Sequence, residues 1–117
     1  MKVYIYKGCD TCRKAIKWLE AQGFDYEPLP IRETPPAVEE LQRMLKFYDG
    51  EVKRLFNTSG RDYREMDVKS KFGVLSEDAL LQLLAEHGNL IKRPFLLSER
   101  HGLVGFKEAE WAVLRSA

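Results

Sequence analysis

Lys2, Val3, Tyr4, Ile5 and Tyr6 open the chain as a β-branched and aromatic run bounded by Gly8, the pattern of a buried strand. The period then changes. Cys12, Ala15, Ile16 and Leu19 recur at i, i+3, i+4 and i+7, which puts them on one stripe of a helix closed by Gly23. Phe24 to Leu29 alternates apolar and polar positions as a second strand would. The crossover rule makes two strands joined by such a helix parallel neighbours, with the cysteines at the first turn.

The middle reads as helices. Thr34, Pro35 and Pro36 suit a helix entry, Val38, Leu41, Leu45 and Tyr48 mark one face, and Asp49 and Gly50 end it. Val52, Leu55 and Phe56 predict a short helix stopping at Asn57-Thr58-Ser59-Gly60, and Tyr63 and Met66 predict another. Ser76 suits the cap of a stronger helix, with Glu77 and Asp78 in its first turn, Leu80, Leu81, Leu83 and Leu84 as its apolar surface and Gly88 at its end. Strand character returns at 95–97 after Arg93-Pro94. A turn-like stretch and the apolar run 103–106 complete a hairpin, followed by a last helix bearing Ala109, Trp111, Val113 and Leu114. Trp18, Phe47, Phe56 and Trp111 are expected in the core or at its edge. No repeat, low-complexity tract or linker interrupts the order, so one mixed α/β domain is expected.

Composition narrows the partners. With 117 residues the chain can bury a core that needs no disulfide or metal staple. Its 19 Lys and Arg against 18 Asp and Glu leave a formal charge of +1, so nothing global recruits nucleic acid or an acidic membrane. No apolar run approaches the ~20 residues of a membrane span, and the opening is not a signal peptide's long apolar stretch. A cytoplasmic protein is expected. In that reducing compartment two cysteines two residues apart point to catalysis, redox sensing or metal binding before a structural disulfide.

Residues 8–14, GCDTCRK, hold both cysteines. The nucleophile of cysteine chemistry is the thiolate, and a helix beginning near Asp10 or Thr11 would put Cys9 where unpaired N–H groups and the positive end of the helix dipole favour an anion. Arg13 and Lys14 add positive charge while Asp10 opposes it. Cys12 lies on the apolar stripe and should be less exposed, placed to attack a mixed disulfide at Cys9. The residues thus assign Cys9 as nucleophile and Cys12 as resolving thiol. Zinc would need two further ligands, and His87 and His101 are not at finger spacing. A phosphatase-like anion cradle would need an Arg six residues after its Cys, and Ala15 and Trp18 stand at those places. A third alternative is that the two are small core side chains.

A strand, CxxC at a helix start and a late Arg-Pro before a hairpin resemble the thioredoxin superfamily, and within it the ArsC/Spx family. The marks are YKGCDTCRKAIKWLEAQG near the start, ETPP, FNTSG followed by RDYREM, LIKRPFLL, and GLVGFKEAEW near the end. The resemblance implies a thioredoxin-like fold: a four-stranded mixed sheet whose core spans 1–34 and 89–117, with a helical insertion over 35–88. It also implies a cis Pro94 beside the active cysteine. Arsenate reductases of the family use a cysteine matching Cys9 and a set of arginines that hold the oxyanion. Arg93 matches one and Arg13 a supporting one; the second falls at or near Asn57, and the third near Gly105 to Lys107, where no arginine occurs. Asn cannot replace a guanidinium's fixed, bidentate charge, so the departure weighs against efficient arsenate reduction.

The function this resemblance implies is a thiol-disulfide oxidoreductase with no bound cofactor or metal, with glutathione as reductant or glutaredoxin or thioredoxin as partner. The alternative is a Spx-like redox-sensing regulator that binds the C-terminal domain of the RNA polymerase α-subunit and makes no direct nucleic-acid contact. Gly50 occupies about the place of a glycine that Spx uses at that contact, although NTSG replaces a more basic Spx segment. Ordinary structural roles stand beside these: Arg93 as a surface charge before a turn, Arg13 as a solvated helix residue, Lys107 covering a helix end. His87, in the last turn of a helix, where a cation is favourable on dipole grounds alone, gets no catalytic role.

Overall fold

A computed structural model describes residues 1–115 of the chain. Strand β1 (Lys2–Ile5) leads into helix α1 (Asp10–Gln22) and strand β2 (Glu27–Pro30). Helix α2 (Val38–Phe47), a 3-10 helix at Val52–Leu55, helix α3 (Arg61–Glu65), a 3-10 helix at Val68–Lys71 and helix α4 (Glu77–Glu86) follow. A 3-10 turn at Gly88–Leu90 then leads to strands β3 (Phe95–Leu97) and β4 (Gly102–Val104), helix α5 (Glu108–Trp111) and a closing 3-10 turn at Ala112–Arg115. The sheet order is β2-β1-β3-β4, with β1 parallel to β2 and antiparallel to β3, and β3 antiparallel to β4. This is the mixed four-stranded sheet that the family resemblance implies.

Because side chains alternate across a strand, the sheet sorts its residues onto two faces. Val3, Leu96 and Leu103 turn toward α1 and α5, where they pack with Ala15, Leu19 and Trp111. Tyr4, Phe95, Leu97 and Val104 turn the other way, onto Leu41, Met44, Leu81 and Leu84 of α2 and α4. Burying a Leu completely, as at Leu19, Leu41 and Leu84, stabilises by about 1.5–3 kcal/mol relative to leaving it exposed. Trp111 stacks edge-on with Phe106 and Trp18, at ring centroid distances of 5.1 and 6.3 Å.

Several local expectations shift. The second strand starts at Glu27, because Phe24 turns back to stack on Trp18 at 6.0 Å. Glu27 and Ile31 donate their N–H groups to Met1 and Ile5, so the N–H groups that Pro28 and Pro30 lack would have pointed off the sheet edge. Phe47 is 42% exposed, lying over Gly102, where a Cβ would run into its ring and the Met44 sulfur. Ser76 caps α4 as expected, its Oγ accepting from the Ala79 N–H at 3.1 Å. Gly88, however, is no left-handed helix stop. It is buried against β2's end, and a Cβ there would collide with the Ile31 carbonyl. The last helix is a single turn of α-helix continued as 3-10.

Candidate active site

Cys9 occupies the N-cap position of α1, with an extended backbone at φ −105° and ψ 112°. A side-chain acceptor at that position satisfies one of the orphan amides of the first turn, and here the acceptor is sulfur: the Cys12 N–H donates to Cys9 Sγ at 3.2 Å. The Cys9 N–H is held by the Tyr6 carbonyl at 3.1 Å, and the Cys9 carbonyl accepts from Arg13 N–H at 3.1 Å. The cap is thereby fixed on both sides. Cys9 is half-buried and Cys12 is 1% exposed, and the two thiols are unlinked. Burial pushes the Cys12 thiol up to about 12, and its hydrogen bond with Cys9 adds to the rise, while the Tyr6 backbone and Arg93 oppose it.

Cys9 lines a cleft of about 1070 Å³ whose floor and walls come from three distant stretches. The Arg93-Pro94 bond is cis, as the resemblance implies. Arg93 lies over the Tyr6 ring at 4.9 Å, and Arg32 covers the same ring at 4.8 Å. Asn57 also lines the cleft, so Cys9, Asn57 and Arg93 are brought together. Pro94 is buried directly beside Arg93. Arg13 is not brought in. Its guanidinium donates to the Lys7 carbonyl at 2.6 Å and pairs with Asp10, and with Cys12 it borders a separate groove of about 730 Å³ behind the helix start.

The cleft carries more positive charge than the chain's order suggests. Lys53, Arg54, Lys92 and Lys107 line it together with Arg93, against Glu51 and Glu110. Among the described residues none of those five cations makes an ion pair. The cause is one short pairing: Phe56 bridges Ile91 antiparallel, Lys92 N–H donates to the Leu55 carbonyl at 2.8 Å, and Asn57 N–H donates to the Leu90 carbonyl at 2.7 Å. Two Lys-Arg pairs, 53–54 and 92–93, are thus set side by side. The repeated dipeptide next to apolar residues is visible in the chain, but nothing local says that the two copies meet.

Gly105 closes the third side. Its φ of +70° suits glycine, and a Cβ there would press on the Lys92 side chain at 2.9 Å. The Gly105 carbonyl accepts from the Trp111 indole at 2.9 Å and its N–H donates to the Pro94 carbonyl at 2.9 Å. Lys107, two residues on, also lines the cleft. Among the described residues no group of three or more His, Cys, Asp and Glu converges to hold a metal ion.

The profile of the ArsC family matches residues 4–114. An uncharacterised Bacillus subtilis protein, YusI, is 45% identical over 108 residues, which are 92% of each chain. The global transcriptional regulator Spx of Streptococcus pyogenes is 26% identical over 92% of this chain and 79% of its own length. A Streptococcus mutans crystal structure, described as a possible arsenate reductase, superimposes with a TM-score of 0.84 at 38% identity over 91% of this chain and 90% of that one.

Proposed function

The chain belongs to the ArsC family, and from that membership and a capping cysteine at the mouth of a basic cleft we propose that it is a cytoplasmic thiol-disulfide oxidoreductase. Cys9 thiolate attacks one sulfur of a substrate disulfide, the S–S bond breaks, and the first thiolate leaves as Cys9 joins the substrate in a mixed disulfide. Cys12 thiolate then attacks Cys9 Sγ and expels the second. The substrate gains two electrons, the protein loses two in forming Cys9–Cys12, and the two thiol protons end on the released thiols. Glutathione, glutaredoxin or thioredoxin would return the pair to its reduced form. The observation that carries this reading is the arrangement of the two sulfurs, one at the helix cap facing the cleft and the other buried one turn on, its own amide directed at the first.

Burial of Cys12 sets the balance between the two steps. Burial keeps Cys12 mainly as the neutral thiol in the reduced protein, and the part of the rise that comes from Cys9 is removed once Cys9 is bound in the mixed disulfide. Intramolecular attack, however, reaches effective molarities of about 10⁵ M or more, against millimolar external thiol, so internal resolution still leads. Reduction of the neutral hydroxyethyl disulfide tests the scheme. Wild type should convert it with formation of the internal disulfide, Cys12→Ser should stop at the Cys9 mixed disulfide seen by mass spectrometry, and Cys9→Ser should do neither. Equal reactivity of Cys9→Ser and wild type would sink it.

The Spx relative supports a second reading, redox-controlled binding to the C-terminal domain of the α-subunit of RNA polymerase. Gly50, the glycine this reading uses, is exposed at φ +79° with nothing within 4 Å of where a Cβ would stand, which leaves it open to a partner. A pull-down with that domain decides: retention in one redox state supports the regulator, and none in either removes it.

A further inference from the structure

Arg93 is not the only arginine lining the Cys9 cleft whose guanidinium sits over a tyrosine ring. Arg54, on the 3-10 helix at Val52–Leu55, sits 4.5 Å over the ring of Tyr48. That ring is a fixed plate, 8% exposed, with its hydroxyl accepting from the Val104 N–H at 2.9 Å, and Val104 itself lines the cleft. A guanidinium stacked on an aromatic face keeps its N–H edge free for a carboxylate and gives up little further freedom when it binds one. Neither Arg54 nor Arg93 is ion-paired among the described residues.

Size and charge then restrict the occupant. Sites for small organic ligands run about 300–1,000 Å³, and this cleft, at about 1070 Å³, has the volume of a peptide-sized molecule and far exceeds a compact oxyanion. Glu51 and Glu110 stand among the cations, which disfavours a ligand of uniform dense negative charge. Resting on the oxidoreductase reading above, we propose that Arg54, held by Tyr48, is a second anion subsite, and that the cleft takes a peptide-sized disulfide with carboxylates set away from its sulfurs. Arg93 serves the end near Cys9, and Arg54 a carboxylate further along. Tyr48 is a positioning residue.

Single-turnover reactions of the reduced protein with glutathione disulfide, hydroxyethyl disulfide and the cationic cystamine test this. Wild type should favour glutathione disulfide over the other two at low salt, and Arg54→Ala should lower the ratio of glutathione disulfide to hydroxyethyl disulfide roughly tenfold, the scale of one charge-assisted hydrogen bond. Arg54→Lys should recover part of the ratio, and Lys46→Ala, an equal charge loss at an exposed residue outside the cleft, should leave it alone. A second measurement needs no chemistry: glutathione disulfide titrated into Cys9→Ser, followed by NMR, should bind roughly tenfold more weakly when Arg54→Ala is added. A rate ratio and an affinity both unmoved by Arg54→Ala overturn the subsite. If wild type fails to attack even the neutral disulfide, the oxidoreductase reading falls, and the titration alone decides the subsite.

Discussion

On one wall of the cleft, Cys9 caps a 13-residue helix that carries Thr11 in its first turn, and the cap is made by hydrogen bonds spanning three or four residues. On the facing wall, Arg54 and Asn57 hold their places through a pairing with residues 90–92, more than thirty positions away in the chain. On the proposed oxidoreductase reading, the first wall carries the attacking sulfur and the second carries the charge that would choose its substrate. On that reading reactivity would rest on local backbone geometry and selectivity on long-range packing. Changes to the two should separate in experiment.

The largest effect is expected on the local wall. Cys9→Ser should bring disulfide exchange down to the uncatalysed background while leaving thermal stability nearly unchanged, since serine is itself a good N-cap residue. A melting curve beside the exchange assay checks both halves. Next comes Gly88→Ala, at the turn whose Leu90 carbonyl anchors Asn57. Its Cβ would meet the Ile31 carbonyl, a backbone atom that cannot swing aside, so a loss of roughly 3 kcal/mol is expected in denaturant unfolding. If the comparison holds, the surviving folded protein should lose its preference for anionic disulfides more than its reactivity toward neutral ones.

A pH effect of intermediate size comes from Cys12. Its folded-state value, pushed up to about 12 by burial, lies above the ~8.5 of an exposed thiol, so the fold favours the neutral form. That contribution is complete below about pH 8.5 and is lost as the pH rises toward 12. Burial also raises Tyr4 and Tyr48, with the Glu40 hydrogen bond adding at Tyr4, and both weaken the fold in the same alkaline direction. The informative measurement is the difference between reduced wild type and Cys12→Ala in denaturant midpoint from pH 8 to 11. A flatter profile for Cys12→Ala is expected, and parallel profiles would mean that Cys12 burial does not control it.

The smallest effect is electrostatic. Arg93→Ala should lower the rate at which anionic iodoacetate alkylates Cys9, relative to neutral iodoacetamide, by about threefold to tenfold at low salt, with the difference shrinking at 0.5 M as screening takes over. Arg13→Ala should change that ratio less, because its guanidinium is turned to the Lys7 carbonyl and Asp10. A larger effect at Arg13 would reverse the placement of positive charge around the sulfur.

Much of the local architecture could be read along the chain. The spacing of Cys12, Ala15 and Leu19 describes the stripe that α1 buries, Ser76 caps its helix, and Asp49 and Gly50 end α2 with positive φ. Phe24 and Phe47 escaped that reading. One leaves its strand for Trp18 and the other stays exposed over Gly102, and each outcome depends on a neighbour distant in sequence. Gly88 misled for the same reason, since a glycine needed for close approach looks, in sequence, like a glycine needed for a helix stop.

By itself the sequence determined the βαβ opening, the cap position of Cys9 and the inward turn of Cys12, because hydrophobic period and capping act over a few residues. Arg93 and Asn57 could be named from the resemblance. Only the tertiary structure decided which charges share the cleft with Cys9: Arg54, Lys53 and Lys92 enter through the Phe56–Ile91 pairing, and Arg13, though next to the motif, is drawn off by the Lys7 carbonyl. A side chain's reach depends on what its backbone is packed against, and that packing is fixed by contacts the linear order does not contain.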